Sequence, residues 1–151
     1  MANIEQNNVN PFPKWHINRR ISAKLCSNDE RRSFTSELFG PVLMLQGESL
    51  VLEVHKQMTG HSYSGHWHYF KLSNDGLYMA PEKNEVHPIT WGGNGLVEEL
   101  TSDASGIVAT LFALNAIYQE YGDWQPDLLF DLLQDFAREH AESQKIFRIL
   151  D

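Results

Sequence analysis

His66 and His68 stand two residues apart in a segment of alternating apolar character, so on an extended chain both imidazoles point to one face. His61 or His87 would complete three ligands for a metal ion, and the chemistry of such a set would be metal-assisted hydrolysis. The pattern lacks the HExxH helix, an acidic ligand at fixed spacing and a cysteine pair. Phe70 and Leu72 follow on the same face, with Leu77 and Met79 opposite across the next turn, and hydrogen-bonded histidines at the edge of a core fit that surrounding better. Nucleophilic catalysis has less support, because no Gly-x-Ser-x-Gly elbow is present. Gly92-Gly93-Asn94-Gly95 lacks the Gly-Lys-Ser/Thr ending of a phosphate loop and leads into a strand. Cys26 is the only cysteine and reads as an ordinary reduced thiol. The expectation is a protein that is not an enzyme and holds no metal or other cofactor.

Two sets of residues suit binding instead. Alternation places Trp67, Tyr69 and Tyr78 on one face of a hairpin, with Lys71 beside them, and Trp and Tyr are frequent anchors of protein interfaces. If helices cover only the Phe70 face, this row is a candidate partner-binding surface; otherwise it forms a second apolar layer beneath the N-terminal helices. The other set is Asp127, Asp131, Asp135 and Glu139, four apart on the last long helix, whose buried face is expected to be Leu128, Leu129, Leu132, Leu133 and Phe136. Successive carboxylates would lie about 6 Å apart, near the spacing of phosphates on a strand. A solvated helix face explains the row most simply, and an acidic contact surface that mimics DNA is the alternative.

Charge limits the mimic. Of the formal net charge of −8, residues 1–95 contribute nothing (9 basic, 9 acidic), whereas residues 96–151 carry 3 basic and 11 acidic groups. A mimic needs a dense negative surface, and here the excess sits at one end. The same balance argues against strong direct DNA binding, which depends on neutralising phosphates. A basic cluster at Lys14, Arg19, Arg20, Lys24, Arg31 and Arg32 suits a solvated face or an internal partner for the acidic end.

The elements that must position these residues follow from local signals. A chain of 151 residues supports one domain with a sizeable core. Residues 1–14, rich in Asn and with two prolines, read as a flexible arm, and order is expected from Trp15 onward, giving a domain over 15–151. A helix from Ser27 or Asn28 to Leu38 is stopped by Gly40-Pro41, and a second runs from Val42 to Met58 with Gly60 at its end. His66–Leu72 and Leu77–Pro81 flank Ser73-Asn74-Asp75-Gly76, a strong hairpin signal, and Val86–Trp91 and Leu96–Leu100 flank the glycine-rich turn as a second hairpin. Ser102 or Asp103 should cap a central buried helix whose apolar residues run almost all round. Helices from Pro126 to about Ala141 and from Ser143 complete the chain. The expected class is α+β, a single domain in which an antiparallel four-stranded meander packs with several helices. The apolar run of the central helix is about a dozen residues, short of the roughly 20 a membrane span requires. Without a leader or lipidation signal, the expected location is cytoplasmic, with no membrane contact.

Phe39-Gly40-Pro41, Gly65-His66-Trp67-His68-Tyr69, Tyr78-Met79-Ala80-Pro81, Asn94-Gly95 and the run from Ser102 to Leu114, in that order and spacing, resemble the ArdB/KlcA antirestriction family. The resemblance implies a protein of plasmids or other mobile elements that relieves type I restriction and spares methylation, so that incoming unmodified DNA survives. The implied partner is the type I restriction-modification complex, met directly or through a host factor, in its translocating and cutting form. None of the resembling patches is a catalytic signature.

Overall fold

Ser27 opens the first helix through a reciprocal pair of bonds: its hydroxyl accepts from the Glu30 backbone N–H, and the Glu30 carboxylate accepts from the Ser27 N–H. In the computed structural model, which describes residues 20–91, 96–122 and 124–151, this helix, α1, spans Asn28–Thr59. The two helices expected on either side of Gly40-Pro41 are arms of one kinked element. Gly40 sits at φ 82°, outside the helical region, where a side chain would be strained, and Pro41 cannot supply the N–H that would continue the ladder. Phe39, immediately before the kink, lies on Gly47, where a Cβ would come within 2.1 Å of its ring. Gly60 ends the second arm as expected.

Among the described residues, five antiparallel strands form two sheets. β1 (Ala23–Leu25), β2 (Trp67–Leu72) and β3 (Leu77–Pro81) form one sheet in that order, and β4 (Val86–Trp91) pairs with β5 (Leu96–Thr101) in another. Both expected hairpins are present, whereas β1 was not foreseen. At the first turn Asp75 takes φ 74° and the Asn74 carboxamide oxygen accepts from the Gly76 N–H, which is the chemistry the Asn-Asp-Gly signal predicts. The Asn74 side-chain amide also donates to the Leu132 carbonyl, holding the hairpin tip to the third helix. The second turn, residues 92–95, and the expected arm over 1–14 lie outside the described residues.

The central helix α2 spans Ser102–Tyr121, followed by α3 (Trp124–Glu139) and α4 (Ser143–Leu150). Its cap is Thr101, whose hydroxyl accepts from the Ala104 N–H, and neither Ser102 nor Asp103 serves. Both of those side chains are committed to other elements. The position of α2 also explains why the two hairpins do not continue into one four-stranded sheet. Its Thr110 hydroxyl accepts from the Met79 N–H (3.3 Å) and lies 3.4 Å from the Met79 carbonyl, so α2 occupies the edge of β3 that β4 would otherwise pair with. Only glycine permits this approach at position 106, where a Cβ would sit 2.4 Å from the Met79 carbonyl oxygen.

The resulting α+β domain buries Ile107, Leu111 and Leu114 of α2 among Phe34, Leu38 and Met58 of α1, Leu100 of β5, Leu133 of α3 and Ile146 of α4. Arg148 of α4 pairs with Glu98 of β5, and Glu139 of α3 accepts from the Ile21 N–H ahead of β1. Arg20 donates to the Glu139 backbone carbonyl, while Lys24 and Arg32 of the basic cluster pair locally with Glu30 and Asp29. Among the described residues no helix is long and apolar enough to cross a membrane.

Candidate functional site

The β2–β3 register pairs Tyr69 with Met79 and Phe70 with Tyr78, and directly opposed residues of antiparallel strands share a face. Tyr78 therefore lies on the Phe70 side of the sheet, opposite Trp67 and Tyr69, which corrects the expected row of three. It is 1% exposed, stacked between Phe70 (centroids 4.9 Å) and Phe136 (5.6 Å). The face carrying Trp67 and Tyr69 is covered by α1. Tyr69 packs against Phe34 at 4.9 Å, lies beneath the Arg31 guanidinium and donates its hydroxyl to Glu48 (2.8 Å). Burial, reinforced by the Glu48 carboxylate, pushes that hydroxyl up to about 12. Trp67 stands edge-on to His55 at 4.9 Å. Of the two readings open from sequence, the second apolar layer beneath the N-terminal helix is the one realised.

The first turn of α2 sends polar side chains in two directions. Toward β4 and α1, the Ser102 hydroxyl contacts His87 Nε2 and the Ser105 hydroxyl contacts His55 Nε2, each at 2.9 Å. The imidazoles are 5.3 Å apart, both 1% exposed, and Ser62 contacts His87 Nδ1. Burial lowers both: His55 falls to about 4, aided by the neighbouring His87, and His87 is lowered despite the Glu85 charge. This resembles the serine–histidine pair of a hydrolase, but the protons run the wrong way. Ser102 donates its single proton to the Lys83 carbonyl (2.6 Å) and Ser105 donates to the Ser102 carbonyl (2.9 Å). Each histidine must then donate its Nε2–H to its serine, so neither imidazole is placed to accept a serine proton.

Toward β3 and the α3–α4 connection, Asp103 accepts from the Tyr78 hydroxyl (2.7 Å) and from His140 Nε2 (2.8 Å). His140 Nδ1 accepts the Glu142 N–H, which leaves Nε2 carrying the proton. Glu142 in turn accepts the N–H and hydroxyl of Thr101, the α2 cap. Burial pushes Asp103 up, but the bonds from His140 and Tyr78 outweigh it and hold the carboxyl below its usual range. Burial and the Asp103 charge together push the Tyr78 hydroxyl far up.

The remaining sequence candidates are dispersed. His61 and His66 are exposed, His68 pairs with Glu82 (3.3 Å), and His87 is buried among serines. Among the described residues no group of three or more His, Cys, Asp or Glu could hold a metal ion, so the proposed His66/His68 centre is not assembled. The acidic row is exposed along its whole length but broken in half: Asp135 pairs with Arg138 at 2.7 Å and Glu139 takes the Ile21 N–H. Sequence reasoning missed an open groove of about 600 Å³ between α1 and α2, lined by Leu45, Leu50, Glu53, Ile117, Glu120 and Tyr121 among others. Leu45 and Tyr121 both fall on apolar helical rows, and helical period alone does not tell which member of a wide apolar face reaches solvent.

A family model described as antirestriction protein matches residues 61–151. The chain is 42% identical over 137 residues to an antirestriction protein KlcA of Escherichia coli, covering 87% of this chain and 94% of that protein. A second KlcA of Escherichia coli is 39% identical over 135 residues, with 87% and 95% covered. The fold matches a solved structure at a TM-score of 0.77 and 38% identity, over 88% of this chain and 96% of the other. That match comes from the structures of the KlcA and ArdB proteins, described as showing a novel fold and antirestriction activity against type I DNA restriction systems in vivo but not in vitro.

Proposed function

The chain belongs to the antirestriction protein family that includes KlcA, and we propose that it relieves type I restriction in cells by binding, without catalysing a reaction, and leaves methylation intact. The observation that carries this reading is the activity of the structurally matched proteins in vivo but not in vitro. An inhibitor that blocked the purified enzyme by simple occupancy would work in both settings. Activity confined to cells fits action on a state or component that a purified reaction lacks, either the restriction complex while it translocates and cuts or a host factor that acts on it. Such an inhibitor has no reason to disturb target recognition, which is the step methylation needs. On this reading the protein works in the cytoplasm, where restriction meets incoming DNA.

The geometry described above supports a binding role. The serine–histidine contacts have their protons directed away from general-base chemistry. The DNA-mimic alternative is weakened by the row on α3, where two of four carboxylates are engaged within the protein. The test is plating of unmodified phage on hosts with a type I system, with and without the protein, scoring methylation of surviving phage in parallel. Relief of restriction with full methylation of survivors is expected. Equal loss of both activities would favour competition for the DNA-recognition site, and equal relief of an unrelated type II system would overturn the reading.

A further inference from the structure

The groove between α1 and α2 has an apolar floor and an acidic border. Ile117 is buried and Leu50 half-buried at its base, while Leu45 (72% exposed) and Tyr121 (47%) stand at its sides. Val42, one helical turn before Leu45, is 89% exposed and extends the apolar strip along the second arm of α1. The Gly40 kink and the seat of Phe39 on Gly47 fix this arm, so these side chains cannot be withdrawn by rolling the helix. Two charged residues line the groove, Glu53 and Glu120, and neither is in an ion pair among the described residues. Among the described residues no Lys or Arg lines it.

We propose that this groove is a docking site for an amphipathic segment of a protein partner whose apolar residues are flanked by Lys or Arg. Apolar side chains of such a segment would cover Leu45, Leu50 and Tyr121, in the manner of a helix laid in a groove. Its cations would face Glu53 and Glu120, and the excess of acidic over basic groups in residues 96–151 would steer it inward and repel acidic competitors. The assignment deepens the inhibitory reading and rests on it, since the segment would belong to the restriction complex or to the host factor through which inhibition works.

Binding and inhibition are tested separately. Full-length protein is titrated against a fluorescent amphipathic Leu/Lys helix peptide and its Leu/Glu counterpart, with anisotropy as the readout. The Leu/Lys peptide should bind and the Leu/Glu peptide should not, and Leu45→Lys and the pair Glu53→Lys/Glu120→Lys should each weaken binding about tenfold or more. Val97→Lys, at an exposed apolar residue on β5 away from the groove, should change nothing. Because Leu45 is largely exposed, its variant should melt as wild type does, which separates docking from folding. In restricting cells, the groove variants should lose relief and Val97→Lys should keep it. Equal binding of the two peptides, or equal effects of Leu45→Lys and Val97→Lys, overturns the proposal. So does a concentration-dependent dimer abolished by Leu45→Lys, which would make the occupant a second copy, or a gain in peptide affinity on deleting residues 1–19, which would make it this chain's own segment. Groove-dependent peptide binding with no relief of restriction by the wild-type protein would sink the inhibitory reading and leave the groove's chemistry intact. Groove-dependent binding with full relief by Leu45→Lys would show that inhibition does not pass through it, and the partner assignment would fall.

Discussion

Ser102 and Asp103 are neighbours on one helical turn, yet the networks they enter obey opposite electrostatics. On the Ser102 side, two imidazoles are buried with hydroxyls and carbonyls, no carboxylate answers them directly, and desolvation holds them neutral. On the Asp103 side a carboxylate receives two donors, and those bonds keep it charged against the same desolvation. The difference teaches that burial alone does not decide protonation: the partner's chemistry does. It also separates what each network does. The first joins the hairpin of β4 to α1 through α2, and the second ties β3 to the α3–α4 connection and to the α2 cap.

Acid should expose the contrast most strongly. A histidine whose folded pKa is depressed binds fewer protons than it does in the unfolded chain, so its contribution is complete above its ordinary value of 6.5 and is lost as pH falls toward about 4. For His55 that loss is on the order of 3 kcal/mol. Asp103 has the same sign in a lower window, complete above its ordinary 3.8 and lost below it. Urea unfolding between pH 7 and pH 5, above the range in which Glu30 and Asp103 lose their charge, should therefore show declining stability from the buried histidines, and His55→Leu should flatten that decline. Unchanged wild-type stability across the interval would mean that the imidazoles are not held neutral.

Removing the charge on the other side should have a smaller effect. Asp103→Ala leaves the Tyr78 hydroxyl and His140 Nε2 without their acceptor and should destabilise by about 2 kcal/mol at pH 7, read as a lower urea midpoint with unchanged slope. The slope of stability between pH 6.5 and 5 should persist in this variant, because it belongs to His55 and His87. Smallest is Tyr78→Phe, which keeps both ring stacks and removes one donor from a carboxylate that retains His140. It should cost about 1 kcal/mol and raise the Asp103 pKa, a shift that NMR titration of the carboxyl carbon would detect. A Tyr78→Phe variant as unstable as Asp103→Ala would show that the hydroxyl, and not the carboxylate, organises the network.

The sequence made local structure legible and long-range choice much less so. Asn74-Asp75-Gly76 announced its turn because the residues themselves tolerate the required angles, and Gly40-Pro41 marked a break for the same kind of reason, although the chain kinks there and continues as one element where two separate helices were expected. Thr101 was passed over as the cap because Ser102 and Asp103 are equally good cap residues in isolation. What removes them is the Lys83 carbonyl, Tyr78 and His140, at sequence distances no local pattern reaches. β1 is three residues long and pairs with a strand more than 40 residues away, so it leaves no period to read. Tyr78 was assigned to the wrong face by a one-residue error in cross-strand register, and such a slip moves every side chain of a strand to the other side. The groove escaped notice because apolar period marks candidates for burial without saying which of them find a neighbour.

The edge of β3 that Thr110 closes has a consequence for the chain as it leaves the ribosome. The first hairpin is complete at Pro81, but its β3 edge remains bare until residues 106 to 110 have been made and α2 has folded against it. At about 5–20 residues per second, that interval lasts a few seconds. During it, the strand bearing Tyr78 and Met79 offers unpaired backbone groups and apolar side chains to any other extended chain. Slow synthesis between Pro81 and Thr110, or a bulky substitution at Gly106, should therefore show itself first as aggregated protein, and a chaperone that shields strand edges should rescue the former and not the latter.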